Sequence, residues 1–383
     1  MPVQYLVSGV RYSGIWTLAG QANAKALGTW MANQFLYGWG RNTNGQLGLG
    51  DATNKSSPNQ VGSLSNWLTV SAGRYHTASI KTDGTLWAWG SNNNGQLGLS
   101  DYTYRSSPAQ VGLLSNWSKI DVGRGDFTLS IKADGTLWSW GQGANGRLGL
   151  GDAISNLSPN QVGTLTAWST VSAGNSFALA VKTDGTLWSW GLNTNGQLGL
   201  NDAISRSSPV QVGAGWLSVS AGVGAQSIAV KTNGTLWAWG LGSSGQLGLN
   251  DAISRSSPVQ VGSLSTWLSV SAGGYHTASI KTDGTLWTWG RNADGQLGQN
   301  NVIVSSSPVQ VGVLTTWLNV VAGFYYCVAT KTDGTLWTWG KNDAGQLGQN
   351  TTTTRSSPVQ VGVLTTWLSI SGRHTHAVAL AST

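Results

Sequence analysis

"KTDGTLWAWGSNNNGQLGL", Lys81–Leu99, decides the reading of this chain. Versions of it return with their second tryptophan at Trp39, Trp89, Trp140, Trp190, Trp239, Trp289 and Trp339, at spacings of 50, 51, 50, 49, 50 and 50 residues. A fixed period takes precedence over the length of 383 residues, which by itself would suggest more than one compact core. Each copy brings "GQLG" or "GRLG", a Ser-Pro-x-Gln-Val-Gly stretch and a lone tryptophan (Trp67, Trp117, Trp168, Trp216, Trp267, Trp317, Trp367).

Within one unit the punctuation predicts four short strands. Asp83-Gly84 is a hairpin signal, read here as a two-residue turn with positive φ at both positions, joining "HTASIK" to "TLWAWG". Alternation puts Thr85, Trp87 and Trp89 on one face, and the small residue at position 88 leaves room for a neighbouring sheet. The remaining strands are "PNQVG" and "WLTVSAG". Four strands per unit with glycine at strand ends is the pattern of a β-propeller blade. Tryptophan supplies the packing, since a fully buried one is worth about 4–6 kcal/mol before entropy costs.

Composition agrees with an all-β chain. Its 14 acidic residues are all aspartate, so the helix former glutamate is missing, and charged residues make up only 9%. The net charge of +7 raises the question of nucleic acid. Six of the lysines (Lys81, Lys132, Lys182, Lys231, Lys281, Lys331) recur beside the same turn, which spreads charge around a ring instead of gathering it for phosphate binding. Nucleic acid is therefore not the expected partner. Cys327, the single cysteine, sits in "FYYCVAT" and reads as a buried strand residue. The first residues lack a signal-peptide pattern, and no apolar run reaches the about 20 residues of a membrane span. The expectation is a chain made in the cytoplasm of its cell.

The phase of the repeat predicts ring closure. The chain enters at residues 35–40, read as the last strand of a blade without a partner before it, and ends in 374–380, a strand without its hairpin mate. Pairing them completes a seventh blade and removes an open sheet edge. The expected fold is a seven-bladed β-propeller with four-stranded blades spanning 34–383, preceded by a separate leader, 1–33.

"DGTLWxWGxNxxGQLG" followed by "SSPxQV" and "SAGxxHT" resembles the repeat of the regulator of chromosome condensation family, over residues 34 to 383. The resemblance implies a seven-bladed propeller. It leaves function open, because the family includes a guanine nucleotide exchange factor that also binds chromatin, a plant UV-B photoreceptor and a secreted inhibitor of β-lactamases. The exchange factor's inserted wedge has no counterpart in units that stay within one residue of 50. The photoreceptor's tryptophans at strand entries are replaced by Arg74-Tyr75-His76 and Gly274-Tyr275-His276. The leader "YSGIWTLAGQANAKALGTW" resembles those that precede such propellers in structural proteins of marine bacteriophages.

Positions that differ between units carry the candidate site. They concentrate at the strand entry after "SAG" and in the loop after "QLG", such as 100–105 against 299–304. On a propeller the first set gathers at one mouth: Arg74, Tyr75, His76, Arg124, Asp126, Phe127, Tyr275, His276, Phe324, Tyr325, Tyr326 and His374. These residue types dominate binding interfaces. The alternative is drift between duplicated blades. His374 and His376, two apart on one strand face, raise a metal site, but no carboxylate or cysteine cluster accompanies them and none is expected. Aspartates recur in the turns (Asp83, Asp134, Asp184, Asp283, Asp333), which leaves few for acid–base work, and no catalytic elbow, phosphate loop or Cys/His pair appears at useful spacing in the sequence. No catalytic residue and no cofactor is expected.

The leader offers a second site through Tyr5, Tyr12, Trp16 and Trp30, around a helix-prone stretch at 17–27. It reads either as a docking tether to a virion structural protein or as a plug folded back on the ring. Together these features favour a non-enzymatic, virion-associated propeller anchored by its leader, with the loop face presented to a host-surface protein or glycan. A cytoplasmic regulator of the exchange-factor type, binding a small GTPase or chromatin, and a carbohydrate-binding propeller are the alternatives.

Overall fold

The computed structural model describes residues 33–382 and, ahead of them, an antiparallel strand pair, Tyr5–Val7 with Val10–Tyr12, in which Tyr5 faces Tyr12 in register. Seven four-stranded antiparallel sheets follow. Blade 1 shows the pattern: inner strand Trp67–Ala72, second strand His76–Lys81, third strand Leu86–Gly90 and outer strand Arg105–Gln110. His76 pairs with Gly90 and Gly90 with Arg105, so the loops 73–75 and 91–104 leave one face of the ring. The turns 82–85 and the loops 111–116 leave the other.

The Asp-Gly turn differs from expectation. Only Gly84 has a positive φ, +79°, and Asp83 does not. The Gly84 amide donates to Lys81 O at 2.9 Å and Lys81 N to Thr85 O at 3.0 Å, a three-residue turn closed by a left-handed glycine. Asp83 Oδ1 accepts from both the amide and the hydroxyl of Thr85, and that hydroxyl accepts from Trp87 Nε1 at 2.9 Å. The aspartate is selected as an acceptor, not for left-handed backbone.

Blade 7 joins the two ends of the ring: Trp367–Gly372 and His376–Ser382 from the C-terminal side, Gln34–Gly40 and Lys55–Gln60 from the N-terminal side. Register runs unbroken from Gln34 opposite Ser382 to Gly40 opposite His376. Residues 34–40 are thus the third strand of the blade, not its last; the Ser-Pro strand lies outside them, as in every other blade.

Successive blades interlock through the repeated phrase. Trp89 Nε1 donates to Gln46 O of the preceding blade at 3.0 Å, and Trp39, Trp140, Trp190, Trp239, Trp289 and Trp339 make the equivalent bond. Gly48 lies against the same indole, where a Cβ would come within 2.8 Å of Nε1. The six regular lysines are also absorbed. Lys81 Nζ stands 3.6 Å from the Trp87 ring centroid and 4.9 Å from that of Trp67, and the pairing recurs in blades 2 to 6. Their charge belongs to the blade.

Candidate functional site

The strand-entry loops converge as the repeat demands, but they divide by depth. The last residue of each entry begins the second strand and is buried: His76, Phe127, His276 and Tyr326 are 0% exposed. They face the neighbouring blade, not a partner. His76 Nε2 lies 3.0 Å from Thr128 Oγ1, His376 Nε2 3.1 Å from Thr77 Oγ1, and His276 Nε2 3.3 Å from Cys327 Sγ. Burial depresses all three imidazoles to about 3, so they are neutral. Burial likewise pushes the Cys327 thiol up and leaves it inert. His374 sits in the loop before the strand and His376 within it, so the two do not share a strand face. Among the described residues no three of His, Cys, Asp or Glu are grouped to hold a metal ion.

Residues one or two steps earlier in four of the entries, Tyr75, Tyr275, Phe324, Tyr325 and His374, are half-buried and meet. Tyr75 lies 6.0 Å from His374, which stacks on Phe324 at 5.2 Å. Phe324 contacts Tyr325 at 4.2 Å, and Tyr325 stacks on Tyr275 at 6.3 Å with planes 18° apart. The rings form one arc across blades 1, 7, 6 and 5. Cations cover it. Arg74 lies 4.5 Å and Arg41 5.5 Å from the Tyr75 centroid, Arg291 5.1 Å and Lys341 5.7 Å from that of Tyr325. Arg124, from blade 2, reaches across the mouth to the Phe324 ring at 4.5 Å. Burial, with Arg124, Arg74 and Arg41 close by, holds His374 neutral, at about 3. Asp126, at φ +57°, is the carboxylate facing Arg74, Arg124 and Arg147, and its burial raises its pKa.

Three of these cations were not legible as site residues. Arg41, Arg291 and Lys341 follow the third-strand glycine, and their amides bond the entry loops at Thr375, Tyr275 and Tyr325. The signal was present, since that position varies between units, but its place at the mouth follows only from the His76–Gly90 register. Below the arc the channel is crossed by Arg373, which bonds Asp121 at 2.5 Å and borders a cavity of about 240 Å³. Of the leader residues, Tyr5 and Tyr12 lie in the described strand pair; Trp16, Trp30 and the stretch 17–27 lie outside the described residues.

The regulator of chromosome condensation (RCC1) repeat model matches residues 35–80, 83–129, 134–181, 184–225, 233–280, 283–330 and 333–380. The chain belongs to the RCC1 repeat family. It is 31% identical over 148 residues to the ultraviolet-B receptor UVR8 of Arabidopsis thaliana, a match covering 38% of this chain and a third, 33%, of that relative's length. Prp20p of Saccharomyces cerevisiae, described with its binding properties to Gsp1p and histones, superposes with a TM-score of 0.83 at 18% identity over 92% of both chains. Human WBSCR16 gives 0.82 at 21% identity, over 91% of this chain and 99% of that one. These structural likenesses establish the RCC1 fold and nothing finer.

Proposed function

We propose that this RCC1 ring is a non-enzymatic binding module whose aromatic and cationic mouth is the contact face for a protein partner. The observation that carries the reading is the convergence of half-buried Tyr75, Tyr275, Phe324, Tyr325 and His374, drawn from the most divergent loops, into one continuous arc. Aromatic and arginine side chains concentrated at one centre are what a binding hot spot requires. The test places a photocrosslinking residue at Tyr275 and, as a control on the opposite face, at Leu113, which is 95% exposed. Crosslinks from the mouth alone support the reading; crosslinks from Leu113 alone overturn it.

The finer assignment is attachment to a bacteriophage particle through the leader, which rests on the resemblance of residues 12–30 to phage structural leaders. Deleting residues 1–33 is expected to abolish co-sedimentation with particles while the ring stays folded. The fold shared with Prp20p supports an exchange-factor-like regulator as a second reading. It requires acceleration of nucleotide release from a small GTPase, which the phage reading does not.

A further inference from the structure

We infer that the gap between Arg74 and Arg124 is an oxyanion subsite, which receives a carboxylate from an acidic segment of the protein partner; the inference rests on the mouth being the contact face. Arg74 and Arg124 come from neighbouring blades and cover Tyr75 and Phe324, the two rings that His374 touches, and burial together with the nearby Arg74 guanidinium lowers the pKa of Arg124. Such a pair needs a counter-anion. Among the described residues neither forms an ion pair, and the buried Nε of each lacks a hydrogen-bond partner.

Among the described residues Asp126 is the carboxylate set against this pair. All 14 acidic side chains fall within the described residues, and residues 1–32 contain no Asp or Glu. Asp126 faces Arg74, Arg124 and Arg147 together, so one carboxylate stands against three guanidinium groups. Asp294 and Asp343 are paired with Arg291 and Lys341. Arg41, the third guanidinium beside His374, spends its Nε on the Thr43 hydroxyl.

The stacking geometry selects the ligand. A guanidinium laid over a ring keeps its N–H edges in the plane facing away, where they bind a planar oxyanion in two-pronged fashion. The guanidinium carbons of Arg74 and Arg124 lie 4.5 Å from the Tyr75 and Phe324 ring centroids, within the range of such stacking. The same cations cover the ring faces that a sugar would stack on, so a carboxylate fits the mouth better than a neutral glycan. The net charge of +7 adds long-range attraction for an acidic partner.

The test uses the full chain and a capped tetra-aspartate peptide carrying a zwitterionic dye, followed by fluorescence anisotropy. Its neutral counterpart is tetra-asparagine, and inorganic phosphate is a third probe. Saturable binding of the aspartate peptide is expected, weakening with salt and falling at least tenfold in Arg74→Gln/Arg124→Gln. The control Arg105→Gln/Arg206→Gln removes the same charge from the rim and is expected to retain affinity. Equal binding of both peptides to the unmodified protein overturns the subsite without any variant, as does an equal loss in the rim control. Binding of phosphate alone overturns the acidic segment as its source. Mouth crosslinks that survive Arg74→Gln/Arg124→Gln leave the contact face standing and remove only this subsite.

Discussion

Arg373 stands where the other six blades carry glycine (Gly73, Gly123, Gly174, Gly222, Gly273, Gly323), and Asp121 where five carry serine and one valine. Those serines stitch the channel wall: Ser71 Oγ accepts from Val122 N at 3.0 Å, Ser172 Oγ from Ala221 N at 2.9 Å and Ser220 Oγ from Ala272 N at 2.9 Å. Asp121 keeps that role toward Ala173 N at 2.7 Å and adds a charge, which Arg373 neutralises from across the channel. Both departures from the repeat answer each other. Arg373→Gly alone strands a carboxylate and Asp121→Ser alone strands a guanidinium, each expected to cost roughly 1–3 kcal/mol. The double variant restores the repeat at both sites and is expected to recover most of the loss in a urea melt; additive losses would refute the coupling. A second expectation concerns His76, His276 and His376, which are held near 3 against an ordinary 6.5. Below about pH 6.5 the unfolded chain gains protons that the folded ring refuses. Stability therefore falls as pH drops from about 6.5 toward 3, by up to about 1.4 kcal/mol per unit per histidine. Replacing all three by glutamine, which blade 4 carries at the equivalent Gln226, is expected to reduce the slope of the thermal midpoint between pH 6 and 4, His374 keeping its own share; an unchanged slope would mean the imidazoles are protonated in the ring.

At the scale of the element, the repeated phrase is one half of a lock whose other half is the next blade. That explains why both tryptophans and both glycines recur. Gly298 has φ +70° and its Cβ would lie 2.8 Å from Trp339 Nε1, whereas Gly312 has φ +61° and nothing within 4 Å. Gly312→Ala therefore carries backbone strain alone, about 1 kcal/mol, and Gly298→Ala adds displacement of the indole and its bond to Gln296 O. A melting loss at Gly298 at least twice that at Gly312 is expected, and equal losses would show that the indole contact is slack. The blade itself was legible because period, alternation and turn glycines are local signals. The turn type was not, since Asp-Gly serves two turns and the choice depends on whether Asp83 turns its carboxylate toward Thr85. The mouth was half legible. Its loops were recognisable by their divergence, but adjacent residues such as Tyr75 and His76 alternate between mouth and seam, and only the strand register separates them. Arg124 on Phe324 joins blades 2 and 6, a contact no local pattern encodes.

For the whole molecule, the seam in blade 7 is where ring closure depends on contacts alone. Every other sheet is built from consecutive strands, while this one is made by pairing Gln34–Gly40 with His376–Ser382. The seam is also where Arg373 acts, tying blade 7 through Asp121 to blade 2, through the Ala173 carbonyl to blade 3 and through the Ala221 carbonyl to blade 4. In a ring of near-identical units, stability is a sum of blade and neighbour terms, so the unit lacking a covalent hairpin opens first. Native-state hydrogen exchange is expected to show the amides of 34–40 and 376–382 losing protection together, at a lower opening free energy than 86–90 or 286–290. Arg373→Gly is expected to lower that seam value further while leaving blade 5 at its original protection, since the bonds of Arg373 reach blades 2, 3 and 4 and not blade 5. The two predictions fail separately. Uniform protection around the ring would mean that opening is global and the seam as strong as a covalent hairpin, whereas a uniform fall in the variant would make Arg373 a general packing residue instead of a tie across the closure.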